Sequence, residues 1–274
     1  MALSLTGINI YPIKSARGIA LSEWETDAFG LRYDRRWMVV DQTGTFITQR
    51  THPRMALVTV KLGDGVLQID APGMPTLETS LHPAPAVVTQ VVVWNFAGQS
   101  TWLGEEATLW FTEFLGTDCS LVHMGDDVVR RANPLFAPEA TRVSFADGYP
   151  ILLISEESLA DLNARLSHPI PMDRFRPNLV VAGAEAYAED GWRAIEIGSM
   201  ALRVVKPCFR CAITTTDQVT AKRGREPLRT LATYRRVGNE VMFGQNVVHQ
   251  NIGQLRVGDP VTDQRVSGGS EQGQ

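Results

Sequence analysis

The chain has 274 residues, 44% of them hydrophobic and 20% charged, with a net charge of −4; this allows one large or two ordinary domains with an ample core and excludes a disordered chain. The acidic balance gives no reason to expect nucleic acid as a partner. The start MALSLTGINIYPIKS has neither a basic lead nor an apolar stretch of signal-peptide length, and three cysteines make no disulfide framework. With no run near the roughly 20 apolar residues of a membrane span, the reading is a cytoplasmic protein with reduced thiols and no membrane partner.

Strand signals dominate the first hundred residues. LSLTGINI alternates apolar and polar side chains with the period of a half-buried strand. RRWMVV, DQTG and TFITQR predict a hairpin, and ALVTVKL, GDG and VLQI a second. The Pro-rich stretch 71–85 reads as loop and TQVVVWNF as another strand. EEATLWFTEFLG is the first convincing helix, with Leu109, Trp110, Glu113 and Phe114 at helical spacing and Gly116 as its stop. CSLVHM returns to strand, and GDDVVRRANPLFAPEATR is a polar, Pro-broken loop.

In the second half, PILLIS predicts a strand and SEESLADLNARL a helix capped by Ser155. NLVVAG, WRAIEIG and MALRVV are short strands, PLRTLATYR is a short helix opened by Pro227, and MFGQNVVH and LRVGDPVT close the chain. Many short strands with few helices predict a β-rich α+β protein with a barrel or sandwich in each half. The tail SGGSEQGQ is low-complexity and is expected to be disordered.

KPCFRCAITTTD holds Cys208 and Cys211. A structural zinc site wants four ligands, and here there is one pair, with Cys119 and the histidines far away in sequence. A dithiol of the thioredoxin kind opens a helix, whereas AITTTD reads as strand or turn. Burial as two small hydrophobes is the plain alternative. Against it, Lys206 and Arg210 place positive charge around the pair, which favours thiolate, and a thiolate in such a pocket is a ligand or nucleophile. It also suits a large anionic cofactor with one soft anchor.

Cationic groups recur elsewhere. YPIKSARG offers Lys14, Ser15 and Arg17 at a strand end, DRRW adds Arg35 and Arg36, FITQR adds Arg50, and FRPN adds Arg176 and Asn178. Point charge, hydroxyl and guanidinium fork together suit phosphate. Singly each reads as a solvated charge; as a set beside apolar strands they are costly to hold without anions. No phosphate-binding glycine loop, dinucleotide fingerprint or nucleophile elbow occurs, and His52, His82, His123, His168 and His249 show no ligand spacing.

YPIKSARGIALSEWETDAFGLRYDRRWMVVDQTGTFITQR resembles the N-terminal β-barrel domain that precedes a MOSC domain, the C-terminal domain of molybdenum cofactor sulfurases. SFADGYPILLISEESLADLNARL, FRPNLVVAG, YAEDGWRAIEIG, KPCFRCAITTTD and LRVGDPV resemble the MOSC domain itself. The pattern is similar to bacterial YcbX-type proteins and the mitochondrial amidoxime-reducing component, and covers roughly residues 3–262. It implies a barrel-like domain over 1–122 and a MOSC barrel with a few short helices over 123–263, with the tail at 264–274.

The resemblance implies that Cys211 binds molybdenum through its thiolate, with Cys208 a neighbour. It implies pterin and phosphate contacts from Lys14, Ser15, Arg35, Arg176 and Asn178, and Asp147 as an acidic residue near the metal. Gly148 and Tyr149 depart from the hydroxyl residues of the mitochondrial proteins. The implied activity is reduction of small N-hydroxylated compounds (amidoximes, hydroxylamines, N-hydroxylated bases) by a molybdenum cofactor, fed by a separate flavin or iron–sulfur partner because no ferredoxin-type cysteine run is present. The alternative is a non-enzymatic carrier of molybdenum cofactor or of persulfide sulfur. MOSC domains also occur fused to a pyridoxal-phosphate desulfurase, a domain this sequence does not contain.

Overall fold

A computed structural model describes residues 2–263; the tail expected to be disordered lies outside the described residues. The larger sheet has the strand order Val261–Asp263, Ala194–Ile197, Met200–Phe209, Glu240–His249, Ile151–Ser155, Leu179–Ala182, Ser4–Ile10, Ile19–Leu21. Its pairings are antiparallel except Ile151–Ser155 with Leu179–Ala182, where the helix Glu156–Arg165 makes the crossover that a parallel pair requires. A second sheet runs Trp37–Asp41, Cys119–His123, Phe96–Trp102, Val88–Val93. Two three-stranded sheets complete the fold. Among the described residues, no helix is long and apolar enough to cross a membrane.

Three segments cross between the halves of the chain, among them Ile19–Leu21 at the edge of the large sheet. The first strand, Ser4–Ile10, pairs with Leu179–Ala182 and so lies in the sheet built by the second half. Gln254–Arg256, near the other end, pairs with Glu23–Asp27. The cores follow the same division. Trp37, Phe111, Phe114 and Leu121 centre one apolar cluster, and Leu5, Leu153, Leu179, Leu202 and Val247 another. Burying a residue of this size contributes about 1.5–3 kcal/mol, so the crossing strand ties the halves through Leu5, Ile8 and Ile10, all at most 1% exposed.

The helix Glu105–Leu115 ends on Gly116 in the left-handed conformation, as its spacing predicts, but its buried face is Ala107, Trp110, Phe111, Phe114 and Leu115. Leu109, expected on that face, is 61% exposed. The Ser155 cap forms: its hydroxyl accepts from Ser158 N at 3.1 Å. That hydroxyl also donates to the buried Glu189 carboxylate at 2.9 Å.

Four local expectations need correction. TQVVVWNF is not one strand: Val88–Val93 turns at Trp94 and Asn95 and pairs back with Phe96–Trp102. TFITQR does not return as a strand: Trp37–Asp41 finds its ladder partner in Cys119–His123, and only the single bridge Val40–Phe46 joins the hairpin arms. Within 71–85, Leu77–Ser80 is a strand, because Leu77 adds a buried side chain under the sheet Thr59–Leu62, Val66–Asp70. MALRVV extends through KPCF as Met200–Phe209, paired with Glu240–His249 from Leu202 to Phe209 with register shifts after Val204 and Pro207.

Candidate active site

The site forms where the first strand leaves the large sheet. Lys14 N donates to Trp37 O (2.8 Å) and Trp37 N to Pro12 O (3.0 Å), clamping Tyr11–Lys14 against the second sheet. Ile13 enters the apolar core while the neighbouring Lys14, also buried, lines the cavity. Lys14 Nζ donates to Phe145 O at 2.7 Å and to Asp147 Oδ1 at 2.6 Å. Ser15, Arg35 and Arg176 all have positive φ, at 69°, 51° and 57°. Left-handed backbone at a non-glycine residue costs about 1–2 kcal/mol, and its concentration at one place marks a constrained site.

Arg35 is fixed from three sides. Its guanidinium donates to Asp34 Oδ2 (2.5 Å), Asn178 Oδ1 (2.9 Å) and Arg176 O (3.3 Å). Asn178 also accepts from Leu152 N and donates to Asn9 O, so its amide holds Arg35 in place. Arg35 and Arg176 each lie over the Tyr11 ring, at 4.3 and 4.2 Å from its centroid. Burial raises the Tyr11 hydroxyl to about 12, against the pull of Arg176 and Arg35, so it stays neutral.

The strand Met200–Phe209 carries Cys208, and the one-turn helix Ala212–Thr215 begins just after Cys211. Cys211 thus sits past the strand end rather than on it. Cys208 Sγ accepts from Arg210 Nη1 at 3.0 Å, while Arg210 Nη2 donates to Phe175 O at 2.6 Å. Burial pushes the Cys208 thiol up, only partly offset by Arg210. No long helix follows the pair, so no helix terminus activates it as a dithiol.

Lys14, Ser15, Arg35, Asp147, Arg176, Asn178 and Cys211 all line one cavity of about 120 Å³. It shares Asp147, Cys208, Cys211 and Asn246 with an outer cleft of about 690 Å³. Lys14, Arg35, Arg176 and Arg210 line the inner space, and Arg50, Arg130, Arg131 and Lys206 the outer. Among the described residues, Asp147 is the one carboxylate lining either. Eight cations against one lining carboxylate, with Asp34 behind Arg35 as a second, leave a focused positive field in a chain of net charge −4.

The titration behaviour follows from this crowding. Desolvation by the surrounding protein would raise the Asp147 carboxyl, although its side chain is about half open to the cleft, but Lys14 and Arg50 outweigh it and hold Asp147 below the usual carboxylate range. Burial lowers Lys14 to about 8, although Asp147 opposes it. Burial also brings Arg176 and Arg130 down to about 10. Burial would lower Arg50, but the Asp147 carboxylate outweighs it and raises the guanidinium.

Arg176 Nη2, Arg50 Nη1 and Arg210 Nε are buried without a hydrogen-bond partner. Desolvated guanidinium groups with free N–H donors are what an anion would relieve. The donor set therefore fits a phosphate-bearing cofactor. Among the described residues no group of three or more His, Cys, Asp or Glu could hold a metal by itself, so a metal at Cys211 would need most of its ligands from such a cofactor.

Other cationic candidates do not join the site. Arg36 donates to Met124 O and Asp126 and stacks on Phe29, and Arg17 lines neither cavity. Sequence reasoning missed Trp94, whose Nε1 donates to Asp147 Oδ1 at 3.2 Å. It also missed Arg130, which donates to Ala146 O (2.6 Å) and Asp147 O (3.1 Å) and so shapes the loop bearing Asp147. No motif marks either; each reaches the site through long-range packing.

Fold and cleft together define a β-rich protein with a cationic, anion-receiving pocket edged by a thiol. Residues 2–118 match the MOSC N-terminal beta barrel domain and residues 140–262 the MOSC domain. The chain is 38% identical over 271 residues to mitochondrial amidoxime-reducing component 1 of Mus musculus, covering 92% of this chain and 79% of that protein. It is 38% identical to mitochondrial amidoxime reducing component 2 of Rattus norvegicus (92% and 80% covered). Identity to component 1 of Homo sapiens is 36%, with the same coverage. The chain belongs to the MOSC-domain family that contains these proteins.

Proposed function

We propose that the chain is a reductase of N-hydroxylated compounds that works with a molybdenum cofactor and an external electron donor. The observation that carries this reading is the set of eight cations and one carboxylate gathered about Cys211, in a chain 38% identical to amidoxime-reducing components. In this reading Arg176 and Arg35 hold the anionic part of the cofactor, with Ser15 and Lys14 beside them, and Asn178 keeps Arg35 aimed. The Cys211 thiolate anchors the metal. When bound, the cofactor supplies two electrons, so that R–NH–OH, two electrons and two protons give R–NH2 and water.

The chain's own residues supply orientation and protons. Asp147 stays ionised and is left to accept a hydrogen bond from the substrate's N–H or O–H. Lys14, lowered to about 8, holds a proton at neutral pH and gives it up more readily than a free lysine. Trp94, Arg50 and Asp147 form the wall that a substrate meets on its way in. Electrons come from a separate flavin or iron–sulfur protein.

The test is turnover of benzamidoxime by cofactor-loaded protein with reduced viologen as donor. Conversion to benzamidine, lost in Cys211→Ser, supports the reading. Protein loaded with metal that reduces neither benzamidoxime nor an N-hydroxylated base would overturn it in favour of a carrier.

A further inference from the structure

The inner cations have an evident counterpart in an anionic cofactor, but those of the outer cleft do not all have one. Arg50 is committed to Asp147 at 2.9 Å, and Arg130 to the carbonyls of Ala146 and Asp147. Lys206 and Arg131 remain. Lys206 Nζ lies 4.8 Å from the Phe136 ring centroid, and Arg131 Nη1 donates to the Glu139 carbonyl at 2.9 Å. Their charges thus meet a ring and a backbone oxygen rather than a carboxylate.

Both line the cleft of about 690 Å³ that also exposes Asp147 and Cys211. Two flat side chains line the same space with much of their surface open: Trp94 is 43% exposed and Phe209 50%. Trp94 is held rigid for such a surface, by its bond to Asp147 and by Arg50 at 4.9 Å from its ring. A concave space of this size with aromatic walls and two solvent-facing cations that pair with no carboxylate suits a small aromatic anion.

We propose that the outer cleft is a specificity subsite for N-hydroxylated aromatic substrates that carry a carboxylate or phosphate. Trp94 and Phe209 receive the ring, and Lys206 and Arg131 read the negative group. The inference rests on the reductase reading for its chemistry, since the N–OH group must face Asp147 and Cys211. The anion subsite itself does not depend on that chemistry. Carboxylate and phosphate share the recognising feature, charged oxygens that accept from cationic N–H donors.

The kinetic test compares kcat/KM for benzamidoxime, 4-carboxybenzamidoxime and a 4-trimethylammonium analogue, with reduced viologen as donor. The expected order is carboxylate first by about tenfold, with the preference falling in about 0.5 M salt and in Lys206→Gln/Arg131→Gln. A carboxylate analogue no better than the neutral one, or a preference that survives in the double variant, overturns the proposal. So does a double variant that keeps the preference but slows turnover with reduced ferredoxin, because the cations then serve a protein donor.

A second readout needs no turnover. Tryptophan fluorescence is titrated with 4-carboxybenzamide, which has no N–OH to reduce, with Trp94→Phe as the control for the reporting ring. Saturable quenching lost in the double variant supports the subsite, even where no N-hydroxyl compound is reduced; in that case the reductase reading alone fails. Absence of saturable quenching in the parent overturns the subsite.

Discussion

Lys14 Nζ and Asp147 Oδ1 lie 2.6 Å apart across 133 residues of sequence. The lysine is 5% exposed at its side chain and the aspartate 54%, so the contact joins a buried cation to a carboxylate at the cavity wall. Arg50 bonds the other oxygen of Asp147 at 2.9 Å. The triad couples the exit of the first strand, the arm after Trp37–Asp41 and the loop before Ile151–Ser155 into one electrostatic unit.

Asp147→Asn therefore leaves a buried ammonium with neutral acceptors only, the Phe145 carbonyl and the introduced amide oxygen. The expected loss at neutral pH is about 1–2 kcal/mol, moderated by the exposure of Asp147. Because the folded state lowers Lys14 to about 8, the loss shrinks as pH rises through that value and the lysine becomes neutral. On the acid side the Asp147 contribution is present above its unfolded pKa, near 4, and fades as pH falls below it. Urea unfolding of parent and variant from acid to about pH 9 checks both limbs. A difference that grows with alkali contradicts the pairing.

Ser15→Gly relieves a backbone held at φ 69°. The unliganded protein is expected to gain about 0.5 kcal/mol, the left-handed strain exceeding the entropy cost of glycine. Pterin retention is expected to fall because the hydroxyl is gone. Urea midpoint and pterin content, read on the same samples, should move in opposite directions.

Arg176→Met removes a buried guanidinium whose Nη2 has no partner. The cofactor-free variant should stay within about 1 kcal/mol of the parent, the lost bond to Ala16 O offset by the smaller desolvation penalty. Loaded in a cofactor-producing host, it should retain far less pterin. A variant that binds pterin normally would show that Arg176 is structural.

Ser155→Ala provides the contrast. The cap and the bond to Glu189 are both lost, for about 1–2 kcal/mol. Since this network lies in the helix crossover and lines neither cavity, cofactor content should be unchanged.

These contrasts show what was legible in the sequence. Period-2 alternation in LSLTGINI and the cap and spacing of SEESLADLNARL are local signals, and both elements form. Of the cationic motifs, read as costly to hold near a core, Lys14, Ser15, Arg35, Arg176 and Asn178 stand around one cavity and Arg50 lines the outer cleft, whereas Arg17 and Arg36 lie elsewhere. Tertiary choices were hidden. TFITQR has strand chemistry, yet its arm joins Trp37–Asp41 only around the Val40–Phe46 bridge, and the residues beyond carry Arg50 to Asp147. Leu109 has the right spacing for the helix face, but the apolar stripe is centred on Trp110 and Phe114 and turns it to solvent. Trp94 occupies a turn with φ 54°, and nothing in VVVWNF indicates that its indole will reach a carboxylate 53 residues on.

The most direct test of the central claim is molybdenum and oxidised-pterin content of the parent and of Cys211→Ser, both made in a host that produces the cofactor. If Cys211 anchors the metal, the parent carries molybdenum and pterin near one per chain and the variant loses the metal. A well-folded parent that carries neither, from a host that loads another molybdoenzyme, contradicts the claim.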